Sequence, residues 1–232
     1  MNLIKTAKII FKMFKKDKAF WVAIGYLLLG YFRWQPWIEA DSTIWQQLFS
    51  WSSWVITILP VFLFMMERYM NWMQTPSVYL AARKDRDYGG MIKYGIFGFS
   101  LIVTFFYVLC TGGWNQIFFR QDHGKQMIEI FHYGIPAWML LNICGTVFGI
   151  LKTMGLRIQI AWLFSIGIPV LDYGFSFYGG WKLGFCQMFF ETNIKIYMLN
   201  LVFAGILYLI LNSVLGIAID RMELTGECDE RN

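Results

Sequence analysis

Long apolar runs make up about half of this chain, and most are close to the length that a helix needs to cross a bilayer. The hydrocarbon core of a membrane is ~30 Å thick, which corresponds to roughly 20 residues of α-helix. The first run is the shortest, but Lys18 and Arg33 flank it and can extend their charged ends towards the interfaces. The six predicted spans are residues 19–32, 48–66, 91–111, 134–151, 158–177 and 197–219.

The composition supports a membrane protein. The chain is 57% hydrophobic and only 15% charged, whereas a soluble domain carries about 25% charged residues. Such a chain lacks the polar side chains needed to cover a water-exposed surface. The runs also lack the short alternating pattern of a membrane barrel. We therefore predict an all-α polytopic membrane protein.

The distribution of positive charge predicts the orientation. If the N-terminus is cytoplasmic, fifteen of the 20 lysines and arginines fall on the inner side of the six-span topology. The positive-inside rule then places both termini in the cytoplasm, as in a multi-pass protein of a bacterial inner membrane. This orientation signal accounts for most of the basic patches. No basic soluble face with a nucleic-acid reader is visible, so we expect no nucleic-acid partner.

The N-terminal segment, residues 1–18, has the pattern of an amphipathic interfacial helix. Its apolar and basic residues separate onto two faces of a helical wheel, which is typical of a helix lying in the membrane surface. The apolar positions are Leu3, Ala7, Ile10, Phe11 and Phe14, and the basic positions are Lys5, Lys8, Lys12 and Lys15. Residues 19–219 form the predicted transmembrane domain, and residues 220–232 form a polar cytoplasmic tail.

A dense group of charges interrupts the apolar pattern between spans two and three. Residues 79–90 read YLAARKDRDYGG, and positions 83–87 are all charged. Pro76 suits the first turn of a short cytoplasmic helix over 76–86, with Thr75 as its N-cap. The glycine pair that closes the stretch would end the helix. The aromatic outer segments after spans three and five are predicted to be short helices that rest on, or dip into, the outer leaflet.

The sequence carries few residues with the spacing of an active site. Its two histidines, His123 and His132, do not have the spacing of a zinc site, and the cysteines 110, 144, 186 and 228 form no CxxC pair. We therefore predict neither a metal site nor catalysis. Cys110 and Cys186 both fall near the outer side, which leaves a disulfide open. Asp172, near the outer end of span five, is a candidate for a substrate pathway because acids within membranes are often functional.

The chain has no phosphate-binding loop of the GxxxxGK[ST] type, so energy from ATP would have to come from a partner. Its layout resembles the permease subunits of ABC exporters of the type-two exporter superfamily. The resemblance rests on the amphipathic elbow helix at 1–18, six spans with both ends inside, and a coupling helix between spans two and three. It extends to an acid at the inner end of span two, Glu67, followed by a basic series, Arg83, Arg86 and Lys93.

The resemblance implies an exporter without its own ATPase site. Two ABC ATPase subunits, which bind ATP and Mg²⁺, would contact this chain, and a second identical or related permease copy would complete the pathway. The implied substrate is hydrophobic or amphipathic, such as an antimicrobial peptide. The ATPase-coupling residues that it implies are Glu67, Pro76, Tyr79, Arg83, Arg86 and Lys93.

Two other functions remain open from the residues alone. A stand-alone membrane immunity protein that binds a toxin would need no ATPase. A membrane enzyme acting on lipid would use Asp122, His123 or His132 near the outer surface, and would be active as an isolated chain.

Overall fold

The computed structural model describes residues 8, 10–12, 15–34, 53–75, 78–79, 88–119, 123–180, 183–190 and 193–229. These residues form α-helices and contain no β-strand. The helices are α1 (Lys18–Trp34), α2 (Leu59–Met73), α3 (Tyr88–Phe119), α4 (His123–Thr153), α5 (Ile158–Tyr178), α6 (Phe185–Phe190) and α7 (Ile194–Asp229). A π-helical turn, Trp54–Ile58, leads directly into α2.

Four helices are long and apolar enough to cross a membrane. Their apolar stretches are Tyr88–Val108 in α3, Ile130–Thr153 in α4, Ile158–Ser176 in α5 and Ile194–Met222 in α7. The remaining two predicted spans correspond to α1, which has a shorter apolar stretch, and to the π-helical turn with α2. The helical character predicted from the sequence is thus confirmed for the described residues, and four of the helices have the length and hydropathy that a membrane span requires. The number of crossings and the side of the termini remain predictions.

The predicted outer segment between spans three and four differs from what we expected. It contains no separate short helix in the described residues, because α3 continues to Phe119 and α4 already begins at His123. Two adjacent glycines at 112 and 113 do not stop α3. A glycine inside a helix costs only about 1 kcal/mol, which the surrounding helix can offset. The second outer segment does contain a short helix, α6.

Helix α4 occupies the centre of the bundle. About 67% of its apolar stretch is buried, against 17% for α5 and for α7. Close packing is possible because Gly145 lies against Phe62 of α2 and Ile96 of α3, where a methyl group would overlap with both side chains. Small residues at membrane-helix contacts allow such close approach, and van der Waals packing then drives association.

Contacts between helices define two ends of the bundle. At one end, Tyr69 of α2 crosses α3 at Gly95, and Gly89 of α3 lies against Ile219 of α7. We call this the α2–α3 end. At the other end, which we call the α6 end, Phe189 of α6 contacts Trp54 with ring centroids 5.6 Å apart. Helices α2 and α3 therefore run in opposite directions, since α2 ends and α3 begins at the α2–α3 end.

Three prolines lie in the described helices, and each leaves the carbonyl four residues before it without its usual N–H donor. Tyrosines from other helices supply a replacement donor for two of these carbonyls. Pro60 has no N–H to donate to the carbonyl of Ile56, and Pro136 has none for the carbonyl of His132. The Tyr26 hydroxyl donates to Ile56 over 3.1 Å, and the Tyr197 hydroxyl donates to His132 over 3.0 Å. An unpaired backbone carbonyl is costly in lipid, so these bonds make the two prolines tolerable.

The π-helical turn is a local response to the first of these prolines. The N–H of Leu59 donates to the carbonyl of Trp54, five residues earlier instead of four. This wider turn sits immediately before Pro60, where a regular α-helical turn would bring the proline ring against the Ile56 carbonyl.

Candidate functional site at the α2–α3 end

Three of the predicted coupling residues lie at the α2–α3 end. Glu67 is in α2, Lys93 is in α3, and Tyr79 lies in the connection between these helices. Pro76, Arg83 and Arg86 are outside the described residues, as is most of the predicted coupling helix over 76–86. Asp172 lies at the α6 end, away from the other three.

The connection starts with a helical turn at Thr75. The backbone N–H groups of Val78 and Tyr79 both donate to the Thr75 carbonyl, over 3.0 and 2.9 Å. This backbone position is the one expected of an N-cap residue. The Thr75 hydroxyl itself donates backwards to the carbonyl of Trp72 over 2.7 Å, and so it also ties the turn to the end of α2.

The aromatic ring of Tyr79 ties this turn to α3. It meets the ring of Tyr88 edge-to-face, with centroids 5.1 Å apart and planes at 85°. Tyr88 is fully buried at the start of α3. An edge-to-face aromatic pair contributes about 0.5–1.5 kcal/mol beyond its buried area. The connection is therefore held at one end by α2 and, through Tyr79, by α3.

Tyr69 joins α2 to α3 directly. Its side chain is fully buried, and its hydroxyl donates to the Met91 carbonyl over 2.6 Å. The ring lies across Gly95, at a position that leaves no room for a methyl group, and meets Phe99 edge-to-face at 5.4 Å. A glycine at 95 is thus needed for the tyrosine to reach the α3 backbone.

Glu67 joins α2 to α5. The indole N–H of Trp162 donates to Glu67 Oε2 over 3.1 Å, in a partly buried position. Hydrogen bonds to a charged group contribute about 1.5–3 kcal/mol. The acid that the sequence singled out at the end of span two is therefore engaged within the bundle, by a tryptophan 95 residues further along the chain.

Lys93 joins α3 to α7 by contact. Its ammonium group lies over Gly216, where an added Cβ would be 3.3 Å from Nζ. The lysine is half-buried, between the fully buried Ile92 and the exposed Tyr94. The small residue on α7 gives the charged end of Lys93 a place beside the helix backbone.

Asp17 is a residue of this end that the sequence analysis missed. Its Oδ1 accepts the N–H of Ala19 over 3.0 Å and so caps the start of α1, while its Oδ2 lies 3.4 Å from the Arg68 guanidinium. Arg68 also lies over the Phe64 ring, 5.4 Å from its centroid. The capping signal was present in the sequence, since Asp17 directly precedes Lys18, the first residue of α1.

Asp172 holds α6 in place at the other end of the bundle. Its Oδ1 accepts the N–H of Phe185 over 3.2 Å, and Asn200 of α7 accepts the N–H of Gly184 over 2.8 Å. The carboxylate packs directly on Gly184. These two side chains satisfy the N–H groups of the first residue of α6 and of the residue before it, which have no partner within the helix. Asp172, the candidate for a substrate pathway, therefore stabilises the start of α6, and this structural role is sufficient to account for an acid at its position.

The aromatic rings beside α6 close the α6 end. Phe189 stacks on Tyr133 at 6.4 Å, and the His132 ring stacks on Tyr197 at 4.7 Å. Of the histidines considered for lipid chemistry, His132 is thus packed against aromatic rings. Among the described residues, no three His, Cys, Asp or Glu side chains are grouped to hold a metal ion. The side chains of Cys110 and Cys186 are outside the described residues, and Cys144 is a buried free thiol.

No protein-family model, curated protein or solved structure matches this chain.

Proposed function

We propose that this chain is the membrane-spanning subunit of an ATP-driven ABC exporter in a bacterial inner membrane. A partner ATPase would contact the connection between α2 and α3, and a second permease copy would complete the pathway. The substrate would be a hydrophobic or amphipathic molecule such as an antimicrobial peptide. The observation that carries this proposal is the anchoring of the α2–α3 connection to both helices, because a coupling element must pass on a displacement instead of absorbing it.

Movement of the connection would reach two helices together. The Thr75 turn is bonded to the end of α2, and Tyr79 packs on Tyr88 at the start of α3. Tyr69 then links the same two helices one to two turns deeper, through its bond to Met91. Each of these contacts contributes on the order of 1 kcal/mol. Together they favour movement of α2 and α3 as one unit.

The same unit has a link to α5. Glu67 accepts the bond from Trp162 near the start of α5, and Asp172 near the other end of α5 holds α6. A tilt of α2 imposed by an ATPase would therefore displace α5, and α6 would move with it. This route gives Glu67 a role in relaying motion between helices, and it gives Asp172 a role in positioning α6 beside a substrate pathway.

The second permease copy would contact α5 or α7. Both present long apolar faces that other parts of the bundle leave uncovered, with only 17% of each apolar stretch buried. Lipid covers such faces in a monomer. In the proposed exporter, one of them would face the second copy and enclose the pathway between them.

Charge reversal within the connection tests this proposal. We expect the double variant Arg83→Glu/Arg86→Glu to lose association with the cognate ATPase by more than roughly tenfold, because losing a pair of interfacial charges costs about 2 kcal/mol or more. The measurement is the amount of ATPase that co-purifies with the tagged chain from membranes in which both are expressed.

The matched control is Lys8→Glu/Lys15→Glu, which removes the same charge from the same predicted side. Both lysines are exposed. Positive charge on the inner side also determines how the chain is oriented in the membrane. The control therefore distinguishes a loss of contact with the ATPase from an incorrect orientation of the chain. The control should keep the ATPase, and both variants should insert normally. Equal association of the two variants with the ATPase would mean that the arginines serve orientation alone, whereas a stand-alone immunity protein would co-purify with no ATPase in any variant.

A further inference from the structure

A basic cavity lies between the N-terminal segment and the end of α2. Its volume is about 540 Å³, within the range of small-ligand sites. The described residues that line it are Lys12, Lys16, Asp17, Arg68, Asn71, Trp72 and Thr75. Three cations and one acid thus face the same space, and the sequence analysis assigned none of them a ligand.

The charges within this cavity are not balanced. Asp17 is already engaged, since one oxygen caps α1 and the other faces Arg68. Lys12 and Lys16 are exposed, four residues apart, and line the same cavity. Two like charges that face the same cavity repel each other. An anion between the lysines and Arg68 would remove this repulsion and accept several charge-assisted hydrogen bonds.

The surroundings of the cavity are those of a membrane interface. Ile10, just before Lys12, is buried against Gly98 of α3, whereas the neighbouring Phe11 is 73% exposed and available to lipid. Trp72 adds an indole ring to the cavity lining, and tryptophan is enriched at the level of lipid headgroups. Basic pockets beside membrane helices bind the headgroups of anionic lipids.

We propose that this cavity binds the phosphate of an anionic phospholipid. Lys12, Lys16 and Arg68 would contact the phosphate oxygens, Asn71 would donate to the headgroup, and the acyl chains would extend past Phe11 into the bilayer. Bound lipid would fasten the N-terminal segment to α2 beside Thr75, where the α2–α3 connection begins. This site requires no ATPase and does not rest on the proposed function.

The test is lipid binding to the purified full chain in a neutral detergent, counted by native mass spectrometry. The probes are phosphatidylglycerol, phosphatidylcholine and inorganic phosphate. The wild type should retain one phosphatidylglycerol in preference to phosphatidylcholine. In Lys12→Gln/Lys16→Gln this affinity should fall roughly thirtyfold, the factor expected when two lysines no longer face an anionic lipid.

The matched control is Lys8→Gln/Lys15→Gln, which removes two exposed lysines that do not line the cavity. It should bind phosphatidylglycerol like the wild type. Asn71→Glu keeps both lysines but places an acid in the cavity, and it should also weaken the binding of phosphatidylglycerol. This variant replaces Lys12→Gln/Lys16→Gln in the test if that double variant does not fold. Equal affinity of all variants would overturn the proposal. Displacement of the lipid by inorganic phosphate at equal concentration would also overturn it, because the site would then be one for a soluble anion.

Discussion

Removing one hydroxyl group tests how the bundle tolerates a proline in its central helix. In Tyr197→Phe the ring that stacks on His132 remains, but the hydrogen bond to the His132 carbonyl is lost. Pro136 cannot supply the missing N–H. We therefore expect Tyr197→Phe to lower the free energy of unfolding, with little change in the helix content of the folded protein.

The expected loss is about 1–2 kcal/mol. Hydrogen bonds between membrane helices contribute about 0.6 kcal/mol on average and up to about 1.7. An acceptor left unsatisfied in an apolar place costs about 1–3 kcal/mol. Without the Tyr197 hydroxyl, the His132 carbonyl would be an unsatisfied acceptor, since Tyr197 replaces a bond that the helix itself cannot make. Unfolding of the purified protein by a denaturing detergent, followed by circular dichroism, gives the value.

Pro136→Ala provides the matched second arm of a double-mutant cycle. Alanine at 136 restores an N–H that can donate to the His132 carbonyl, so the hydroxyl of Tyr197 becomes dispensable. The loss caused by Tyr197→Phe should then shrink to a few tenths of a kcal/mol in the Pro136→Ala background. An equal loss in both backgrounds would refute the compensation, because the hydroxyl would then act independently of the proline.

The remaining predictions concern three other features. Gly95→Ala should destabilise the protein by about 1–3 kcal/mol, because the added methyl group overlaps with the tyrosine ring that crosses α3; detergent unfolding measures this change. Asp172→Ala should speed hydrogen exchange in α6 relative to α4, since it removes an acceptor at the start of α6, and unchanged exchange would show that the carboxylate does not hold it. A cysteine at Lys84 should be labelled only from the cytoplasm and one at Lys125 only from outside, and labelling of both from one face would contradict the six-span topology.

The sequence was most informative about the membrane helices. Span five was predicted over 158–177, and α5 is Ile158–Tyr178. Its boundaries were clear because a tight turn precedes it and glycines follow it, so that the apolar run and the helix nearly coincide. The end of α3 was less predictable, because helices continue beyond the apolar stretch and hydropathy does not register that extension.

The contacts between distant helices could not be predicted in the same way. Trp162 and Glu67 meet across 95 residues, and the Tyr197 hydroxyl reaches a carbonyl 65 residues away. An apolar run specifies that a helix forms, but it does not specify which face meets which neighbour. The basic cavity was missed for the same reason, since it needs Lys12 and Arg68 to come together from different segments.

The residues of the predicted coupling site were partly predictable, less so than the helix boundaries and more so than the contacts between distant helices. Glu67 and Lys93 were singled out as charges at the edges of spans, and the structure places both at the α2–α3 end. Their partners, Trp162 and Gly216, carry no charge and follow no motif. A sequence pattern can therefore identify the charged member of such a pair, while the uncharged member becomes visible only when the helices are packed.

If this chain works with a partner ATPase, the two should purify together from native membranes. The chain, tagged and expressed at its natural level, would be isolated in mild detergent, and the co-purifying proteins would be quantified by mass spectrometry. We expect an ABC-type ATPase in about equal molar amount, with ATP hydrolysis that the purified chain alone lacks. If the chain purifies without any ATPase, or hydrolyses ATP by itself, it is not the permease subunit of an ABC exporter.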